Sequence, residues 1–406
     1  MTKTNKLLFV FIAVSYISAH NLFGQGGLSG QDSLRRVITT AVPFVSFAPD
    51  SRSSGMGDAG VAITPDANST HWNNGKLAFI DQDYGFSVSY TPWLAKIIDD
   101  MSISYLSGFY KIDRVQTIGA SLRYFDLGEI QLTNETGAPL GLENPRELAI
   151  DATYSRKLSE SVGIGATGRY IWSNLASSLA GVDGAKSGTS LAVDLGFYYN
   201  KNILISGRNT DLAFGLHISN IGQKITYSNE SNADFIPTNL RIGSALKTNL
   251  DPYNTITFAL DFNKLLVPSP PIYELDANGN IQRDNNGDPI IRQGSDPNRN
   301  LISGMFGSFG DAPGGFSEEL REFNIAFGAE YWYRDVFAGR AGYFYEDATK
   351  GGRQYITVGV GFRYQVFGVD FSYLIPPEQN NPLAETIRFS LLFNFNQEEE
   401  PASSSN

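Results

Sequence analysis

From Tyr84 almost to the end of the chain, apolar and polar residues alternate in segments of about ten, the period of two that puts one class of side chain on each face of a strand. In Tyr355 to Val366, YITVGVGFRYQV, the residues Ile356, Val358, Val360, Phe362, Tyr364 and Val366 fall on one face, with Thr357, Gly359, Gly361, Arg363 and Gln365 on the other. Glu385 to Phe395 repeats the pattern, with Ile387, Phe389, Leu391, Phe393 and Phe395 against Thr386, Arg388, Ser390, Leu392 and Asn394. In SLAVDLGFYYN, Leu191, Val193, Leu195, Phe197 and Tyr199 oppose Asp194 and Asn200. About fourteen such segments begin near residues 84, 101, 116, 147, 162, 189, 211, 239, 254, 322, 336, 354, 368 and 385. An even count suits a closed bacterial barrel.

A soluble sandwich also alternates, so the chemistry of the polar face decides. That face carries Arg123, Asp151, Arg169, Asp194, Asp211, Arg241, Asp261, Glu330, Arg340, Arg363, Asp370 and Arg388, charges that are costly in a packed apolar core. Grease outside and charge inside is the pattern of a membrane barrel. Connection lengths agree: those after residues 112, 159, 250, 335 and 366 are short, whereas 134–146, 176–188, 223–238 and 267–321 are long. Outer-membrane barrels have short periplasmic turns and long outer loops, so an even strand number predicts both termini on the periplasmic side.

The first residues, MTKTNK followed by the apolar run Leu7 to Ile17, read as a secretory signal peptide over residues 1–25. The run is too short for a membrane-spanning helix, which needs about 20 residues. Cysteine is absent, which excludes a disulfide framework and thiolate metal sites. The formal charge of -11 becomes more negative once Lys3 and Lys6 leave with the signal, and so acidic a chain has no excess of cations for nucleic acid. Residues 26–83 do not alternate and predict a separate N-terminal plug; 84–396 form the barrel, with a long outer loop at 267–321, and 397–406 are a polar tail.

Within the N-terminal segment, SRSSGMGDAG has the spacing G-x-G-x-x-G at Gly55, Gly57 and Gly60. A dinucleotide fingerprint must follow a buried strand and open a helix. Here Val61, Ile63 and Thr64 are β-branched and Pro65 lacks a donor, so no helix begins and the glycines predict tight turns instead.

The block FVSFAPDSRSSGMGDAGVAITPDANSTHWNNGKLAF, Phe44 to Phe79, closely resembles the N-terminal signature of the PorV family, outer-membrane components of the type IX secretion system of Bacteroidetes. SFGDAPGGFSEELREFNIAFGAEYWYRDVFAGRAGYFYE, Ser308 to Glu346, is similar to the same family. One departure is Asn73-Asn74-Gly75, where the family usually carries Asn-Pro-Ala. The resemblance implies an all-β, FadL-like transmembrane barrel of about 14 strands with a plug. It also implies a non-enzymatic role without cofactors, in which the protein binds a SprA/Sov-type translocon and the C-terminal signal of cargo and passes cargo to a PorU-type sortase, among membrane lipids and lipopolysaccharide. The alternative is a FadL-like passage for hydrophobic small molecules.

The plug candidates are Asp50, Arg52, Gly55, Gly57, Asp58, Gly60, Asp66, Asn68, His71 and Trp72, expected to fix the segment by hydrogen bonds or to cap its own turns. His217 and Ser219 lie two apart, a spacing some outer-membrane lipid hydrolases resemble, but their strand phase turns them to the lumen, away from lipid. No G-x-S-x-G, H-E-x-x-H or Walker loop is present. Between Glu274 and Pro289, Asp276, Asn278, Asn280, Asp284, Asn286 and Asp288 supply oxygens for calcium without an EF-hand's glycine and terminal glutamate, or simply two hairpin turns. In LISGMFGSFGDAPGGF, Met305, Phe306, Phe309 and Phe316 occupy the long loop, where they either fold back as a lid or dock on a partner.

Overall fold

A computed structural model describes residues 35–95, 100–133, 136–175, 186–227, 233–276, 279–377 and 386–396. The signal region and the polar tail, like Asn278, lie outside them. The strands of the barrel are β1 Tyr84–Pro92, β2 Ser102–Lys111, β3 Gln116–Asp126, β4 Arg146–Lys157, β5 Val162–Ser173, β6 Gly188–Ile205, β7 Arg208–Gly222, β8 Asn239–Asp251, β9 Asn254–Leu265, β10 Phe323–Tyr333, β11 Phe337–Tyr345, β12 Gln354–Tyr364, β13 Phe367–Ile375 and β14 Ile387–Phe395. Each pairs antiparallel with its neighbours in sequence, and β1 pairs with β14 from Tyr84 opposite Phe395 to Tyr90 opposite Phe389, which closes the sheet. The fold is a closed up-and-down barrel of fourteen antiparallel strands.

The alternation read from sequence is the alternation of the wall. In β1, Phe86, Val88 and Tyr90 are exposed while Ser87, Ser89 and Thr91 are buried. In β12, Ile356, Val358, Val360 and Phe362 are exposed and Thr357 is buried. An apolar skin costs roughly 25 cal/mol per Å² if it faces water, and nothing if it faces hydrocarbon. Closure leaves no edge whose backbone groups lack partners in lipid. Aromatic pairs clamp the seam: Tyr84 stacks on Phe395 with centroids 5.0 Å apart, and Phe86 on Phe393 at 4.7 Å. No helix among the described residues is long and apolar enough to cross a membrane.

Short turns collect at one end and long connections at the other. The long connections carry a hairpin of Ile130–Thr133 with Pro139–Glu143, another of Ile272–Tyr273 with Ile291–Gln293, and two short helices, α3 Leu301–Gly307 and α4 Phe316–Arg321. Ahead of β1 lie two further one-turn helices, α1 Ser51–Ser54 and α2 Ser69–Trp72, and turns of 3-10 helix at Pro43–Ser46 and Asn74–Phe79. Of these pre-barrel residues, 48–80 are buried apart from the half-buried Asp58, Thr64, Pro65, Asp66 and Phe79. They run down the lumen from the long-loop end, where Arg36 N–H bonds Thr349 and Ala41 N–H bonds Phe235, to the short-turn end, where Asp83 N–H bonds Phe395. The sequence pattern predicts both termini at the short-turn end. Phe395 does end β14 there, but the first described residues, near Arg36, lie among the long loops. Residues 37–49, uncharged and without alternation, hold no signal for that placement.

Candidate functional site

The N-terminal segment is bound to the inner wall by its own polar residues. Asp50 caps α1 by accepting Ser53 N–H at 2.9 Å, and its other oxygen accepts the Trp72 indole at 2.6 Å. Arg52 reaches Glu330 on β10 through two bonds of 2.9 and 3.0 Å; it also donates to the Thr64 carbonyl and hydroxyl at 3.0 and 2.6 Å and to Asp66 at 3.1 Å. Glu330 in turn takes Arg340 of β11 at 2.7 Å, and Arg340 donates to Asp370 of β13 at 2.8 Å. One chain of buried ion pairs thus ties plug to wall. Asp66 also accepts Asn68 N–H, while the Asn68 side-chain oxygen accepts Ser107 of β2. Asp58 accepts the Tyr355 hydroxyl at 2.6 Å.

The three glycines serve close approach, not a phosphate. Gly57 has φ +70, and a Cβ there would lie 2.5 Å from Tyr343 N and 2.8 Å from Phe327 O of the wall. At Gly60 it would enter the Trp72 ring, 2.6 Å from Cε3, and at Gly55 it would sit 3.2 Å from the Gly359 Cα. Glycines of the wall answer them: a Cβ on Gly328 would fall 2.5 Å from that of Met56, and one on Gly342 would fall 2.7 Å from the Gly57 Cα. Asp261 of β9 receives Gly60 N–H and Val61 N–H at 2.7 and 2.9 Å, leaving no room or donors there for an anion.

His71 stands between two arginines of the wall. Arg123 meets its Nδ1 at 2.9 Å and Arg241 its Nε2 at 3.4 Å, while Arg241 also donates to the His71 carbonyl at 3.2 Å. His217 and Ser219 face inward and are buried, whereas Phe214 and Leu216 are exposed. Neither ring nitrogen of His217 has a hydrogen-bond partner among the described residues. Among the described residues no cluster of three metal-ligating side chains occurs. In the 274–289 loop, Asp276 accepts Asn280 N–H and Asp284 accepts Asn286 and Asp288 N–H, so these carboxylates are engaged in two turns.

Above the plug, the long loop lays two short helices across the mouth. Asn300 caps α3 by accepting Ser303 N–H at 2.9 Å. Met305 is 8% exposed, on the inward side of α3 beside Gly304, which abuts Phe235. Phe306 at 68% and Phe316 at 77% are exposed, as are Phe309, Ile302 and Leu320. A clasp of charges holds α4 down. Glu318 takes Arg36 and Lys350; Lys350 also reaches Glu322 at 2.8 Å, and Lys264 of β9 bonds Glu322 and Glu319. Burial opposes ionisation of Glu318, but the bonds from Arg36, Lys350 and Gly314 N–H prevail and hold its carboxyl down at about 2.

Several anchors carry no local signal. Lys76 is buried and donates to the Gly60 carbonyl at 2.6 Å, and Asn73 donates to the carbonyls of Val61 and Phe197. Asn74, in place of the family's proline, donates to Thr167 at 2.9 Å and to the Asp194 carbonyl at 3.2 Å. A lysine or asparagine in a polar stretch usually marks solvent; only the wall around it shows otherwise.

Wall, plug and loop cap together define an outer-membrane β-barrel whose lumen is occupied by its own N-terminal segment. The sequence model of the family "Type IX secretion system protein PorV" matches residues 30–272, more than half of the chain, and the protein belongs to that family. No curated protein matches the sequence. Among solved structures, the toluene transporter TbuX of Ralstonia pickettii is similar at 11% identity and TM-score 0.46, covering 86% of this chain and 98% of its own. The toluene transporter TodX of Pseudomonas putida matches at 11% and 0.45, covering 84% of this chain and 95% of its own. A FadL homologue of Pseudomonas aeruginosa matches at 11% and 0.45, covering 89% and 100%.

Proposed function

We propose that this protein acts in type IX secretion by recognition, without bond chemistry. Its long loops, facing the cell exterior, engage a SprA/Sov-type translocon and the C-terminal signal domain of cargo, which then passes to a PorU-type sortase complex, while the barrel anchors the assembly in the outer membrane. The observation that carries the reading is the exposure of the apolar residues Ile302, Phe306, Phe309, Phe316 and Leu320 in the longest of the long connections. Exposed aromatic clusters of this kind mark protein contacts. The plug supports it by filling the lumen and fixing the wall, which suits a rigid docking platform better than an open pore.

Deletion of residues 301–316 tests this. Loss of the translocon from mild-detergent purifications, with unprocessed cargo in the periplasm and the barrel still folded, is expected; unchanged copurification defeats the docking role. A FadL-like passage for hydrophobic small molecules instead predicts lost uptake with secretion intact.

A further inference from the structure

Beside the plug lies a cavity of about 520 Å³, walled on one side by Val37 to Thr40, Pro43 and Ser46 to Ala48 and on the other by the long-loop ends of β8 to β14. Its size falls in the range of small-molecule sites, about 300–1,000 Å³. Most cations around it are satisfied. Arg353 donates to Glu346 at 2.8 and 2.9 Å, Lys350 holds Glu318 and Glu322, and Arg241 is engaged with His71. Arg388 is the exception. It lines the cavity, is 4% exposed, and makes no hydrogen bond or ion pair among the described residues; its Nε is buried without a partner. An unpaired buried guanidinium is costly, and an anion seated against it removes that cost.

The rest of the lining names the anion's company. Asn263 and Asn324 face each other across β9 and β10, and Asp58 lies beside Tyr355. The Asn263 Oδ1 and Asp58 Oδ1 oxygens also lack partners among the described residues. Amides and a carboxylate give and take hydrogen bonds in the mixture that hydroxyl groups require. An alkyl chain would leave all of them dry and unpaired, at about 1–3 kcal/mol for each group. Phe47 stacked on Trp93, centroids 4.3 Å apart, adds a flat apolar wall on which a ring can lie. We infer that the cavity is a binding site for an acidic saccharide, its carboxylate or phosphate on Arg388, its hydroxyls on Asn263, Asn324 and Asp58, and a ring face on Phe47 and Trp93.

The test is calorimetric titration of the full chain, in a polyoxyethylene detergent that brings no sugar, with digalacturonic acid, neutral cellobiose and hexadecanoate. Saturable binding of digalacturonic acid is expected, with cellobiose at least about tenfold weaker. Arg388→Gln should weaken binding about 10- to 100-fold, as loss of a charge-assisted bond implies. Arg388→Lys should lose less, and Asn263→Leu about tenfold. The heat-dependent electrophoretic shift of folded barrels confirms that each variant folds. Should Arg388→Gln fail to fold, Asn263→Leu decides alone. Equal binding of cellobiose, binding of hexadecanoate without digalacturonic acid, no saturable heat, or full affinity in folded Arg388→Gln or Asn263→Leu overturns the assignment.

Discussion

Arg52→Met is the sharpest perturbation of the plug. The arginine is buried and makes five hydrogen bonds, two of them to Glu330 at 2.9 and 3.0 Å. Methionine fills part of the space and returns none of them. Breaking a buried ion pair costs roughly 3–5 kcal/mol because the remaining charge is stranded. Glu330 keeps Arg340 at 2.7 Å, which places the loss near the lower end, about 3 kcal/mol. At about 1.4 kcal/mol per tenfold, local opening of the plug should rise on the order of 100-fold. The assay is amide hydrogen exchange in detergent, read at Gly60 and Val61, whose N–H groups bond Asp261 and therefore report whether this stretch leaves the wall. Protection there should fall by that factor while strand amides in β4 to β6 stay protected. A change under about threefold, with the barrel folded, refutes the role of the Arg52–Glu330 pair as anchor.

Gly342→Ala should lower barrel stability by about 1–3 kcal/mol, read from the temperature at which the folded electrophoretic band is lost, because its Cβ meets the plug backbone at Gly57. Gly339→Ala on the same strand, with nothing within 4 Å of the new atom, should stay within about 0.5 kcal/mol and serves as the control. The clasp at Glu318 should respond to acid in one direction. With its carboxyl held at about 2 instead of the ordinary 4.5, its contribution is full above about pH 4.5 and drains away as pH falls through 2, so protection of the Arg36 amide, corrected for intrinsic exchange, should be flat from pH 7 to 5 and drop below about 3.5. Protection that is lost already at pH 5 contradicts this. Changing Phe306 and Phe316 to Ser should leave the barrel's thermal stability unchanged within about 0.5 kcal/mol, since both are exposed, and should weaken partner copurification.

The wall was legible because strand side chains alternate locally: any ten residues around Val358 or Leu195 disclose which face is greasy, without knowledge of their neighbours. The inward position of Asp151, Arg169, Asp261 and Glu330 follows from the same rule. Their pairing does not, since Arg52 meets Glu330 across 278 positions and Arg36 meets Glu318 across 282. Gly328, Gly342 and Gly359 read as ordinary members of the polar phase; that they admit the plug backbone is a property of two surfaces together. In the long loop, composition flagged Met305 with three phenylalanines. On a two-turn helix adjacent side chains point about 100° apart, so which of them lies inward, as Met305 does, depends on where the cap rests against Phe235 and not on the loop's own residues.

The docking role can be tested in living cells by placing a photocrosslinking amino acid, one site at a time, at Phe306, Phe316, lipid-facing Leu191 and lumenal His217. Adducts with the secretion translocon or its cargo from the two loop positions, and none from Leu191 or His217, are what the account requires. Protein adducts from Leu191 alone, or none from either loop position while secretion proceeds normally, contradict it.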